Sequence, residues 1–173
     1  MLSIHIDPGA QAPHSSMIRP QPPLDAWPRQ LVDHRFGFAW FIAPAVFVNQ
    51  LVDAHATVTT VDALHDAIDH VIEVRRAELE AEGGITIIHD WRVLRGYDSE
   101  ARQRYLDRMR RRTPGYIKHA IAVVGTTPLL RMAVQTANVL MALRTGGNLE
   151  LATDLDTVLR RYSVGTPSTT GWR

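Results

Sequence analysis

With no cysteine among its 173 residues, the chain must rely on histidine, carboxylate and hydroxyl groups for any covalent or metal chemistry. Disulfides, thiolate zinc sites, iron–sulfur clusters and cysteine nucleophiles are excluded together. The first concentrated stretch is His89-Asp90-Trp91. A histidine beside an aspartate suggests a general base with an orienting carboxylate. The stretch closes a β-branched run, Ile85 to His89, that reads as a buried parallel strand. In open α/β sheets ligands bind just beyond that end of a strand. Neighbouring strand residues project to opposite faces, so His89 and Asp90 are expected to diverge, leaving Asp90 and Trp91 to hold a loop or touch a ligand. Asp98-Ser99 is the second stretch. No Gly-x-Ser-x-Gly elbow surrounds it and no histidine is assignable to it, and Asp-Ser at a helix start is ordinary capping chemistry. A small hydrolase-like enzyme using His89, Asp90 and Ser99 would need the three within about 4 Å of one another in a cleft.

Metal and anion chemistry have thinner support. His65, Asp66, Asp69, His70 and Glu73 lie close in sequence, and Asp66 and His70 are four apart on a helix. The two histidines are five apart and do not share a face, and no His-Glu-x-x-His motif occurs, so a solvated helix face is expected. Gly125-Thr126-Thr127-Pro128 joins a strand to a helix start and could cradle an anion. It lacks the spacing and the lysine of a P-loop, and Pro128 removes one donor. The expectation is no metal and no cofactor, with Asp90, Trp91, Gly125, Thr126 and Thr127 as candidate ligand contacts.

Charge is unevenly placed. The net charge is +1, and arginine supplies 18 of the 19 basic residues. From Asp53 to Asp90 nine acidic residues face two arginines, a local charge of −7. From Arg92 to Lys118 nine basic residues face three acidic ones, a local charge of +6. Opposite fields on separate elements suit a charged protein partner or a second copy of the chain. Nucleic acid would use Arg102, Arg108, Arg110, Arg111 and Arg112, but the near-zero overall charge and the few aromatics argue against it.

The elements that must position these residues alternate. Residues 1–30 hold six of the ten prolines and read as a tail, as do residues 163–173. Between them, residues 31–162 form one domain, of a size that buries roughly 70% of its unfolded surface without a staple. Phe36, Phe38 and Trp40 recur with period two, and Val46 to Val52 follow a Pro44 break, which predicts two antiparallel strands. Thr59 or Thr60 is expected to cap a helix ending at Gly83-Gly84. Strands follow at Ile85–His89, Ala120–Val124 and Leu149–Ala152, with helices from Asp98 or Ser99, from Thr126 or Thr127, and from Thr153 or Asp154. The order β-β-α-β-α-β-α-β-α implies an α/β fold with a mixed, mostly parallel central sheet. The longest uncharged stretch, Phe36 to Val52, has 17 residues and is interrupted by Pro44, Asn49 and Gln50. A membrane span needs about 20 predominantly apolar residues, so no span is expected and the cytoplasm is the default setting.

This order, with Tyr97-Asp98-Ser99-Glu100 opening a helix eight residues after the strand that ends at His89-Asp90, resembles the STAS fold of anti-sigma-factor antagonists and the looser SpoIIAA-like group. In that family the corresponding helix opens with Met-Asp-Ser-Ser-Gly, and a kinase phosphorylates the second serine to control partner binding. Glu100 occupies that position here, and Ser99 matches the serine that is not the usual target. The resemblance therefore implies the fold, over about residues 35–162, and two readings of the switch: Glu100 as a constant negative charge at the helix N-terminus, or, as the favoured one, a member of the looser group that has lost the switch.

The resulting expectation is a non-enzymatic regulatory or protein-interaction domain. It would dock a partner through the 98–112 helix, with Asp98, Ser99, Glu100, Arg102, Arg108, Arg111 and Arg112 at the surface. Residues 129–143 are the most apolar helix and would add a homodimer contact. The alternative is a small apolar-ligand or lipid-binding module, which requires a cavity between the sheet and that same helix.

Overall fold

The computed structural model describes residues 27, 32–42, 44–112, 115–128, 130–136 and 149–162. The strands are β1 (Val32–His34), β2 (Gly37–Ile42), β3 (Val46–Leu51), β4 (His55–Ala56), β5 (Ile85–Trp91), β6 (Gly96–Tyr97), β7 (Ile117–Val124) and β8 (Leu149–Ala152). The helices are α1 (Val58–Val74), α2 (Arg76–Ala81), α3 (Ser99–Arg111) and α4 (Leu155–Arg161), with a further helical stretch over 130–136. Six strands form one sheet in the order β1-β2-β3-β5-β7-β8, and β4 pairs with β6 apart from it. The β1–β2 and β2–β3 pairs are antiparallel, and the three pairs from β3 to β8 are parallel. The fold is thus α/β with a mixed, mostly parallel sheet. Among the described residues no helix is long and apolar enough to cross a membrane.

Strands laid down in chain order have a geometric consequence. Right-handed crossovers that always step the same way place every intervening helix on the same face. Phe47, Ile85, Ile87, Ala120, Ala122 and Leu149 therefore pack with Leu64, Ile68 and Val71 of α1, with Leu79 of α2, and with Leu130 and Val134. The opposite face, with Trp40, Val48, Ile88, Ile121 and Val123, is covered by Trp27 and by Leu155, Val158 and Leu159 of α4. Trp27 meets Trp40 edge to face at 5.4 Å.

Local chemistry explains most element ends. Thr57 caps α1 through a reciprocal capping box with Thr60, so α1 begins earlier than the expected Thr59 or Thr60 start and Asp62 falls beyond its first turn. The helix is interrupted at Arg75 and resumes as α2, which stops at Gly83 and Gly84, both with positive φ. Asp154 caps α4 by accepting from the backbone N–H groups of Asp156 and Thr157. The strand predicted over Ile85–His89 extends to Trp91, and the one predicted from Ala120 begins at Ile117. Of the expected 129–143 helix, residues 130–136 are helical, while residues 129 and 137–143 lie outside the described residues, as do the expected tail at 1–30, apart from Trp27, and the expected tail at 163–173.

Candidate functional site: an apolar cavity beside a buried polar cluster

The ends of β3 and β5 carry polar residues where the strands leave the core. Register places Asn49 opposite His89 and Gln50 opposite Asp90. Because strand residues alternate, the two pairs occupy opposite faces of the sheet.

On the α4 face, Asp90 is a satisfied buried carboxylate. Its oxygens accept from Gln50 Nε2 at 3.1 Å and from Arg92 Nε and Nη2 at 2.7 and 2.9 Å, a bidentate pair, with the Arg92 backbone N–H at 3.3 Å. On the helix face, His89 Nδ1 lies 2.9 Å from Asn49 Oδ1, and its ring stacks on Trp91 at 4.7 Å. His89 and Asp90 therefore form no dyad with each other.

A second histidine joins this face. His65 of α1 is fully buried, and its Nδ1 accepts from Arg112 Nη2 at 3.1 Å, since a guanidinium can only donate. Tyr105 packs edge-on against both His65 and Trp91. Burial, reinforced by the Arg112 cation, holds His65 down to about 2 and His89 down to about 3, so both imidazoles are neutral. Burial pushes the Tyr105 phenol up to about 12. Three nitrogen donors here, Asn49 Nδ2, His65 Nε2 and Trp91 Nε1, are buried without a hydrogen-bond partner.

Beside this cluster lies a partly open cavity of about 100 Å³. Its sheet wall is Leu51, Trp91 and Leu149, and α1 contributes Thr60, Val61 and Leu64. The α3 wall is Ala101, Arg102, Tyr105 and Leu106, and Leu130, Ala133 and Val134 close the remaining side. Every charged group except Arg102 is absent from this lining.

The arginine-rich and acidic stretches turn out to face each other. Arg104 pairs with Asp62 at 2.7 Å, Arg108 reaches Asp62, Asp66 and Asp69, and Arg112 pairs with Asp69. Arg104 holds the Asp62 carboxyl below the usual carboxylate range. The charge separation read along the chain is thus an internal seam between α1 and α3. Arg108 and Arg112 turn toward α1 instead of toward solvent, whereas Arg102 and Arg111 make no ion pair among the described residues.

The remaining sequence candidates disperse. Asp98 stands at the N-cap position of α3 without a side-chain cap bond. Its Oδ1 instead meets His55 Nε2 at 2.8 Å, which corrects the expected capping role. Ser99 and Glu100 are exposed on the first turn of α3. Gly125 sits against the turn after β5, where an added Cβ would approach the Arg92 carbonyl to 2.8 Å, while Thr126 is exposed and Thr127 half-buried. No group of three potential metal ligands occurs among the described residues.

Sequence reasoning placed Trp91 and Arg102 among the candidates but missed the partners Asn49, Gln50 and His55, and it set His65 on a solvated helix face, whereas the ring is fully buried. The one available signal was the paired polar residues, Asn49-Gln50 and His89-Asp90, ending two otherwise apolar strands. No protein-family model matches the chain, and no curated protein or solved structure matches it.

Proposed function

We propose that the chain is a small-molecule binding module, STAS/SpoIIAA-like in arrangement, that takes an apolar ligand between the sheet and its helices. The cavity carries the reading. It is lined almost wholly by aliphatic and aromatic side chains and lies between the sheet, near the ends of β3 and β5, and the helices packed on that face. Its volume approaches that of an engineered apolar cavity of about 150 Å³ that stays dry and binds benzene. The sequential strand order and the helix opening at Ser99 support the family comparison.

The test is a titration with straight-chain alkanols of increasing length, read by calorimetry. Each methylene buried in the cavity is worth about 0.8 kcal/mol, so affinity rises about fourfold per carbon until the cavity is full. Ala133→Phe, or Val61→Phe from the facing wall, blocks the cavity and abolishes the response. Binding that ignores chain length, or survives both blocking variants, refutes the reading.

Protein docking through α3 is the second reading. Ser99, Glu100 and Arg111 support it as exposed side chains within about 120° of one another around α3, and Arg111→Glu with Glu100→Arg would then weaken capture of a purified partner. An unchanged affinity in the double variant excludes this face.

A further inference from the structure

We infer that the ligand is an amphipathic anion, a monocarboxylate with an apolar body of up to about six carbons, whose head group pairs with Arg102 at the cavity mouth. This rests on the apolar-ligand reading above and specifies the chemistry of that same site.

Three observations carry it. First, Arg102 lines the cavity, is exposed, and has no ion-pair or hydrogen-bond partner among the described residues. This differs from its neighbours Arg104, Arg108 and Arg112, which recur at helical spacing on the side of α3 that faces α1 and are consumed by Asp62, Asp66 and Asp69. Arg102 lies about 200° around the helix from Arg104, which sends it away from that seam. Second, no acidic side chain lines the cavity, so nothing there would offset the guanidinium or welcome a cationic head. Third, the cavity is partly open, which lets a polar head stay beside the exposed guanidinium, and a carboxylate, which only accepts, matches a group that only donates. The size follows from the cavity, which takes the apolar body, while its open side leaves the head group in reach of an exposed side chain.

The experiment compares hexanoate, hexanol and hexylammonium on the full chain by calorimetry. Hexanoate is expected to bind about tenfold tighter than hexanol, through a charge-assisted hydrogen bond, with the preference shrinking as salt is raised. Hexylammonium binds weakest. Arg102→Gln removes the preference for hexanoate over hexanol, and Arg102→Lys retains part of it. Arg111→Gln, the other arginine of α3 without an ion pair among the described residues, retains it fully. Equal affinity for hexanoate and hexanol, or a preference that persists in Arg102→Gln, overturns the inference and leaves the apolar-ligand reading standing. Failure of all three probes to bind overturns both.

Discussion

Two neutral histidines in the core make stability fall as solution is acidified, and the size of that fall can be worked out. His65 and His89 have folded values of about 2 and about 3, below the ordinary imidazole value of 6.5. The unfolded chain therefore binds protons that the folded chain refuses. The stability they contribute is fully present above pH 6.5 and is lost as pH drops through that value toward the folded ones. At pH 5 the loss depends only on the unfolded value, because both folded values lie well below 5. It comes to about 2 kcal/mol per histidine, or about 4 kcal/mol together. Domains are typically stable by only about 5–15 kcal/mol, so this is a large fraction. Urea unfolding at pH 7, 6 and 5 reads it directly. His65→Gln and His89→Gln should each flatten the pH 7 to pH 5 difference by about 2 kcal/mol, whatever they do to stability at pH 7. Asp62 contributes little to this difference, since, held low by Arg104, it loses its share only as pH falls below the ordinary carboxylate value. A wild-type difference under about 1 kcal/mol, or single variants that keep the full slope, would refute the claim that both rings are buried and neutral.

Other expectations concern the frame of the site. Arg108→Gln should cost about 1–2 kcal/mol, because one guanidinium serves three aspartates, and the loss should be smaller in 0.5 M than in 0.02 M salt, read by thermal melts. Asp90→Asn leaves Arg92 and Gln50 without their carboxylate and should cost about 2–4 kcal/mol in chemical denaturation. Gly84→Ala should cost about 2–3 kcal/mol, since Gly84 has φ +112° and a Cβ would lie 2.9 Å from the Gly115 carbonyl oxygen; a neutral result would mean that this turn relaxes freely.

How far the sequence led differs between the fold and the site, for physical reasons. The five longer strands of the sheet announce themselves because each is a short β-branched or alternating apolar run bounded by turn residues. β1, β4 and β6 are two or three residues long, too short to carry a period, and exist only through their partners. The α1–α3 seam was visible as separate stripes of aspartate and arginine at helical spacing, yet nothing local says that the stripes face each other. That needs the crossover geometry that puts both helices on one side of the sheet. The pairing of His55 with Asp98 is of the same kind, since it follows from the β4–β6 bridge that sets His55 opposite Gly96. Arg102 was read as one arginine of a basic cluster. Its distinct role emerges only after the structure shows which arginines are already spent.

The sequential strand order also bears on how the chain acquires its shape. Within the six-stranded sheet, each strand from β2 onward docks beside a strand already synthesised, so the sheet can grow outward from the β2–β3 hairpin as the polypeptide leaves the ribosome. The crossover helices arrive between strands and cover their face as it forms. Among the described residues the opposite face has only Trp27, against Trp40, as an earlier cover. Ile88, Ile121 and Val123 wait for Leu155, Val158 and Leu159, which belong to the last described element. A nascent or proteolytically shortened chain that stops before α4 would thus display a broad, sticky strip of sheet, and that strip is where mutual adhesion between unfinished molecules would begin.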